Sequence, residues 1–486
     1  MGHKAELNRH FSPLAMLGLA FAILNSWTAL SASLSLALPS GGPTSVIWGL
    51  ITAGICNLSL AASMAEFLSA YPTAGGQYHW VAVIAWPKWR PLLSWITGWV
   101  NVSGWIALVA SGGLLGSQLI VGVISFTNQN YVPQRWHQFL IYIGYNLIAF
   151  LLNAFGNSLL PYVTKGAFFW SITGFVIISI TVLACSSPDY ASGKFVFTTF
   201  INEEIPNPHV EGPRIMIATV LIGISTGFIF LVCLLLVSGG SANVQNIIES
   251  AAGPLLAIFY QATGSKAGSI CLLMFPLVCL LFATISIMTT SSRMTYAFAR
   301  DGGLPASRFL AKVHSKHEMP LNALILTTVL VVIFGCIFLG SSSAFNAIIS
   351  ASVVALGVSY AIPPAINCLR GRKMLPPRPF VLPGPLGWIC NLLGISYVTV
   401  TTVLFLFPPT LPVTGSNMNY CIVAFFIVIV ISVVQWFVDG RKNYKGPVVE
   451  LVGEGEDGAV NAADSLDDKA EGAHGNGAMG HVNGSG

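Results

Sequence analysis

Few ionisable or polar residues interrupt the long apolar runs of this 486-residue chain, and those few are where chemistry would lie. Glu66 stands in "AEFLSAYPTAGGQYHW", at the end of one run. Pro72, Gly75 and Gly76 supply a turn, and Tyr78 and Trp80 suit a membrane interface. Two readings of Glu66 follow. It closes a membrane-exit turn, reaching water and pairing with a loop cation such as Lys88, or it belongs to a transporter gate. "LNSWTALSASLSLAL", from Leu24, is too rich in Asn, Ser and Thr for a purely lipid-facing helix. Small hydroxyl residues line tight helix contacts in membranes. A helix broken near Asn25, Ser26, Trp27 and Thr28 would instead free amides for a carboxylate and carbonyls for a cation.

Two further stretches carry polar or aromatic groups. "GWVNVSGWIALVASGGLLGS" sets Trp99, Asn101 and Trp105 among small residues. Such rings either pack in the core or hold an ammonium on their faces. In "SSRMTYAFARDGGLPASRFLAKVH", Arg293 and Arg300 lie seven residues apart and share a helix face. They anchor the helix on the basic side of the membrane, bind lipid headgroups, or lock a gate. No phosphate-binding loop, Ser-His-Asp set, paired carboxylates or histidine metal site is present. The nine cysteines are scattered singly, so a metal, a cofactor and an enzymatic activity are not expected.

The elements that position these groups follow from composition. Only 8% of residues are charged and 54% are hydrophobic, with mean hydropathy +0.74. Soluble domains carry about 25% charged residues. Apolar runs of about 20 residues recur, each long enough to cross roughly 30 Å of hydrocarbon. The expectation is an all-α polytopic membrane protein with spans at 13–38, 45–70, 92–125, 136–155, 162–184, 215–237, 267–299, 321–340, 344–369, 386–407 and 418–438. A short helix from Gly253 reads as interfacial or re-entrant. Residues 1–12 are expected in the cytosol, and 446–486, rich in Gly, Ala and Asp, as a disordered cytosolic tail. The net charge of +4 is spread by loop, so it bears on topology and gives no sign of nucleic-acid binding.

The charges pose one contradiction. With the N-terminus inside, Lys4, Arg9, Lys88, Arg90 and Lys165 fall inside, and the segment after the fifth span falls outside. The basic loops "RDGGLPASRFLAKVHSK", "RGRKMLPPRP" and "GRKNYK" place the segment just before Ile215 inside. The two assignments meet on opposite faces at "FVFTTFINEEIPNPHVEGPR", which is too short and polar to cross as a helix. One span is therefore expected to be absent at Asn202–Glu204, with a peptide sheltered inside the bundle as the alternative.

Together, "HFSPLAMLGLAFAILNSWTALSASLSLALPSGGPTSVIWGL", "AEFLSAYPTAGGQYHW", "EEIPNPHVEGPRI" and "SSRMTYAFARDGGLP" resemble the amino acid–polyamine–organocation superfamily. Within it they are similar to the fungal amino-acid/choline branch, which includes GABA and choline permeases. The resemblance covers about residues 5 to 445. It implies twelve spans, arranged as two inverted five-helix repeats plus two extra helices, of which about eleven are present here. It divides the chain into a first repeat (13–185), a connector lacking the sixth span (186–214), the rest of the second repeat (215–369) and two final spans (370–445). It further implies proton-coupled alternating access for an amino acid, GABA-like molecule or choline-like cation. Asn25, Ser26, Trp27 and Thr28 would form the remaining broken-helix site, with Asn101 and Trp105 on its wall, and Glu66 and Arg293 as gate or structural positions. The plasma membrane is the implied location, with the vacuolar membrane as the alternative. In the family "EEIPNP" directly follows the sixth span, whereas here it follows "FTTFIN".

Overall fold

In hydrocarbon a backbone must satisfy its own polar groups, and a run of about 20 apolar residues does so as a helix. The computed structural model of this chain is accordingly helical, with a single isolated bridge, His314 to Met319, among the described residues. It describes residues 13–32, 34–128, 130–198, 212–239, 241–314, 319–407, 418, 420–441, 444 and 446–447. The expected cytosolic N-terminal segment, most of the tail and the middle of the connector lie outside the described residues.

The first half comprises α1 (Pro13–Leu24), α2 (Ser26–Ala32), α3 (Leu34–Ala70), α4 (Gln77–Ile84), α5 (Arg90–Thr127), α6 (Arg135–Phe155) and α7 (Leu160–Cys185). A short α8 (Gly193–Thr198) follows. The second half holds α9 (Gly212–Leu236), α10 (Ser241–Ile248), α11 (Pro254–Thr263), α12 (Lys266–Arg300), α13 (Ser307–Leu310), α14 (Leu321–Gly340) and α15 (Ser342–Leu369). Then come α16 (Gly384–Leu404) and α17 (Cys421–Gln435), the latter continuing into a π turn over Trp436–Gly440. Eleven helices among the described residues are long and apolar enough to cross a membrane. The expected loop at 39–44 is helical instead. Its turn is made inside α3 by Gly42, whose φ of 68° is open to glycine at no steric cost.

Side-chain contacts fix the direction of each helix. Gly223 and Gly227 of α9 face Leu24 and Leu30, so α9 runs parallel to α1 and α2. Ile224 meets Gly54 and Gly227 meets Leu50, so α9 runs antiparallel to α3. In the same way Gly98 and Gly112 of α5 meet Phe298 and Thr284, making α5 antiparallel to α12. Three helices of the first half thus pack on three of the second: α3 on α9, α5 on α12, α6 on α14. Partners in such pairs run in opposite directions, the relation that inverted repeats require. The leading helix α1–α2 and the last span of the first half, α7, stand outside these three pairs.

One end of the bundle is basic. It carries Lys88, Arg90, Arg300, Arg308, Lys312, Arg370, Arg372, Lys373 and Arg378, tied together by the Arg370 guanidinium on the Ile84 carbonyl (2.7 Å) and Tyr78 on Asp301 (2.8 Å). The other end has Arg135, Lys194 and Lys266 beside Asp189 and Glu249. The positive-inside rule assigns the basic end to the cytosol. In a variant freed of its nine cysteines, Asp189→Cys should react with an impermeant maleimide on intact cells. Lys312→Cys should react only after permeabilisation, and the reverse pattern would invert the assignment.

The connector joins the wrong ends. The Trp48 indole donates to the Phe197 carbonyl (3.0 Å) and the Ala191 amide to the Leu236 carbonyl (2.8 Å), placing α8 beside the last turn of α9. The first turn of α9 lies at the opposite, basic end. Between Thr198 and Gly212 are 13 residues, which as a helix reach about 20 Å, whereas the 25 residues of α9 extend about 37 Å. A helical crossing is excluded by length.

Candidate functional site

The first span breaks at Asn25. Its φ of +43° lies in the left-handed region, which Asn tolerates better than most residues. The Asn25 amide still closes the last turn of α1 on the Phe21 carbonyl (2.9 Å), and its own carbonyl accepts from Ala29 (2.8 Å) and the Thr28 hydroxyl (3.0 Å). Thr28 also bonds the Asn25 side-chain oxygen. The break leaves α1 ending in carbonyls and α2 beginning in amides, deep inside the bundle.

The four residues of this break face different surroundings. Trp27 is fully buried; its indole donates to Ser171 (2.8 Å), and its ring meets Phe230 at 4.8 Å and Phe175 at 6.5 Å. It is held between α7 and α9. The Ser26 hydroxyl is buried with no partner, beside Gly223, where a Cβ would come within 3.3 Å of Ser26 and 2.5 Å of Leu24. Asn25 and Thr28 pair with each other.

Asn101 and Trp105 lie on α5. Asn101 donates to the Gln77 side chain (2.9 Å), and its own oxygen is buried with no partner. Trp105 is half-buried between two apolar clusters of α5, α12 and α14. Helix α12 packs on α5 and also on α1 and α2, and Ile23 of α1 packs against the same apolar cluster as Trp105. By helical register Ser291 and Thr295 of α12 lie level with Trp105 and Asn101, and both hydroxyls are buried without a partner. These two residues were missed in the sequence because hydroxyls on an apolar helix ordinarily bond back to their own backbone.

Glu66 departs most from expectation. It is fully buried and does not reach water. Its carboxylate bonds Arg372 (2.7 Å) and Arg378 (2.6 Å) and accepts from the Leu382 amide (3.0 Å). Lys88 takes no part; its ammonium lies over the Trp89 ring, 5.7 Å from the centroid. The loop after α15 folds back over the end of α3, with the Phe380 amide on Ser69 (3.0 Å). Arg372 itself sits at φ +58°, beside Gly371 at +67°. Tyr78 and Trp80 are likewise buried. Tyr78 donates to Asp301, and burial, then the Asp301 charge, push its hydroxyl well above the ordinary phenol range. It remains a donor at every physiological pH. Arg293 is half-buried in the cytosolic half of α12, while Arg300 pairs with Asp301 (3.5 Å) and lies over the Tyr296 ring.

The amino acid permease family profile matches residues 14–212 and 190–432, in two stretches that overlap at 190–212. The choline transporter of Saccharomyces cerevisiae is 31% identical over 91% of this chain and 83% of its own length. The amino-acid permease BAT1 of Arabidopsis thaliana is 30% identical over 93% of this chain and 95% of its own. An uncharacterized amino-acid permease of Schizosaccharomyces pombe is 30% identical over 94% and 90%. The BAT1 alignment has 496 positions but uses 93% of 486 residues, about 452, so about 44 BAT1 positions have no counterpart here. For the choline transporter, 478 positions against 91%, about 442 residues, leave about 36. Either deficit exceeds the length of one span.

Proposed function

We propose that the chain, a multi-pass member of the amino acid permease family, is by descent a transporter whose fold is built to move an amino acid, a GABA-like molecule or a choline-like cation by alternating access driven by a proton gradient. The observation that carries this reading is the buried break at Asn25, in the leading helix of an inverted pair of halves. A substrate carboxylate would meet the amides that open α2, and an ammonium the carbonyls that end α1. Ser26, whose buried hydroxyl lacks a partner, is the side chain best placed to add a bond. Trp27 shapes the site from behind, through Ser171 and Phe230. Asn101, with Ser291 and Thr295, forms a second polar patch toward the cytosol, and Glu66 fixes the loop beneath it. The plasma membrane is the proposed location.

A second reading rests on the connector. Its flanks end at opposite faces with 13 residues between them, so the helix that would complete the midplane site is proposed to be absent at Asn202–Glu204. The chain as written would then be a non-transporting form.

The site is tested in a chain given the missing span. Ser26→Ala should raise KM by roughly tenfold, the worth of a bond to a charged group, with no loss of stability. Trp27→Ala should instead lower stability by about 3–5 kcal/mol, as large-to-small changes in a packed core do. Unchanged uptake in both Ser26→Ala and Asn25→Ala chains, at normal surface levels, would remove the break from the site.

A further inference from the structure

A cavity of about 850 Å³ opens between α5, α14, α15 and α17, away from the Asn25 break. Its walls are apolar, among them Ile106, Leu326, Phe334, Ala351, Ala355 and Ile431. Along α14 the lining extends from Asn322 to Ile337, about 22 Å at 1.5 Å per residue. That exceeds the roughly 15 Å of hydrocarbon in one leaflet. The cavity's polar side chains Ser103, Asn322 and Ser352 donate to backbone carbonyls, which leaves a small zwitterion or ammonium few partners. A chain of methylenes needs none.

Three polar features gather where the cavity meets the cytosolic end. Trp99 lines it, and the indole N–H of Trp99 is buried with no acceptor. Buried donors are rarely left unpaired, so this one points to an acceptor that the protein does not supply. Arg308 and Lys312 flank the lining residues Phe309 and Leu310, are exposed, and make no ion pair among the described residues. Phe309, 58% exposed beside them, is suited to the headgroup boundary.

We infer that this cavity is a binding site for one anionic glycerophospholipid of the cytosolic leaflet, with an acyl chain between α5 and α17. The phosphate and headgroup face Arg308 and Lys312, and an ester oxygen accepts from the Trp99 indole. A sterol would fill the volume but offers no anion to the two cations. A neutral phospholipid offers the ester but no net charge. Occupancy would also brace α17, the least buried of the spans, against the rest of the bundle.

The test is native mass spectrometry of the full chain, stripped of lipid and titrated with phosphatidylserine, phosphatidylcholine or ergosterol. One phosphatidylserine should bind with about 30-fold preference over phosphatidylcholine at low salt, since each basic residue near an anionic headgroup is worth roughly fivefold. Arg308→Gln with Lys312→Gln changes only exposed residues, so folding should persist while the preference falls to near parity. Trp99→Phe keeps the ring and should weaken both phospholipids alike. Equal binding of the two phospholipids by the parent chain, a preference that survives the double substitution, or displacement of phosphatidylserine by ergosterol would each overturn the assignment.

Discussion

Glu66→Ala is expected to destabilise the bundle by about 3–5 kcal/mol, a large share of a domain's net stability of roughly 5–15 kcal/mol. The carboxylate is buried against two guanidiniums whose side chains are only 8% and 10% exposed. Removing it leaves both positive charges desolvated without a counter-charge, and frees the Leu382 amide. The loop after α15 would lose its hold on the end of α3. In detergent, the midpoint for loss of monodisperse protein should fall sharply. Replacing the whole group with apolar residues, as Glu66→Leu with Arg372→Met and Arg378→Met, should recover most of the loss, because no charge is then stranded. A Glu66→Ala chain as stable as the parent would show that the three groups are solvated in the membrane-embedded protein.

Much of the fold was legible because the bilayer leaves so few options. Eleven apolar runs correspond to eleven candidate spans, most with ends within a few residues of those read from hydropathy. The exception is the boundary between the first two, where the first ends at Ser31 and not at Leu38. The break at Asn25 was visible as a polar cluster in a run that should have been apolar. Its exact residue was not singled out among the four, although the left-handed backbone of the break suits Asn better than Ser, Trp or Thr. Long-range pairings were hidden. Glu66 and Arg378 are 312 residues apart, and nothing local distinguishes a guanidinium that anchors a loop in the cytosol from one that returns to cover a buried carboxylate. Trp27 read as one of four residues at the break; its ring packs on Phe230 and its N–H bonds Ser171. Asn101 was placed beside the break only by the family resemblance; in the fold α12 packs both on α5, which carries it, and on α1 and α2.

The charges of the loops and the directions of the helices were derived from different properties of the chain. Lysine and arginine counts concern the aqueous ends, whereas the Gly223–Ser26 and Gly54–Ile224 contacts concern the buried faces. Each leads to a segment that leaves α8 at one face and re-enters at α9 from the other. Besides α7, the pairing of α3 with α9, α5 with α12 and α6 with α14 leaves α1–α2 without a counterpart. A helix entering at Asn202–Glu204 would give it one, and would supply the second broken wall of a midplane site.

Restoring that helix should have the largest effect of any change to this chain. With the sixth span of a relative inserted at Asn202–Glu204, both halves take the orientation their charges favour, and no polar segment has to lie at membrane depth with unpaired amides. Surface expression and uptake should rise together. The direct measurement is saturable uptake of labelled choline, GABA and a panel of amino acids, at matched surface levels, in cells lacking their own permeases. The parent and repaired chains are compared side by side. The repaired chain should transport at least one of these solutes, with a rate that falls when the proton gradient is collapsed, and the parent chain should stay at background. Robust saturable uptake by the 486-residue parent would contradict the assignment of an absent span and the two-walled site built on it.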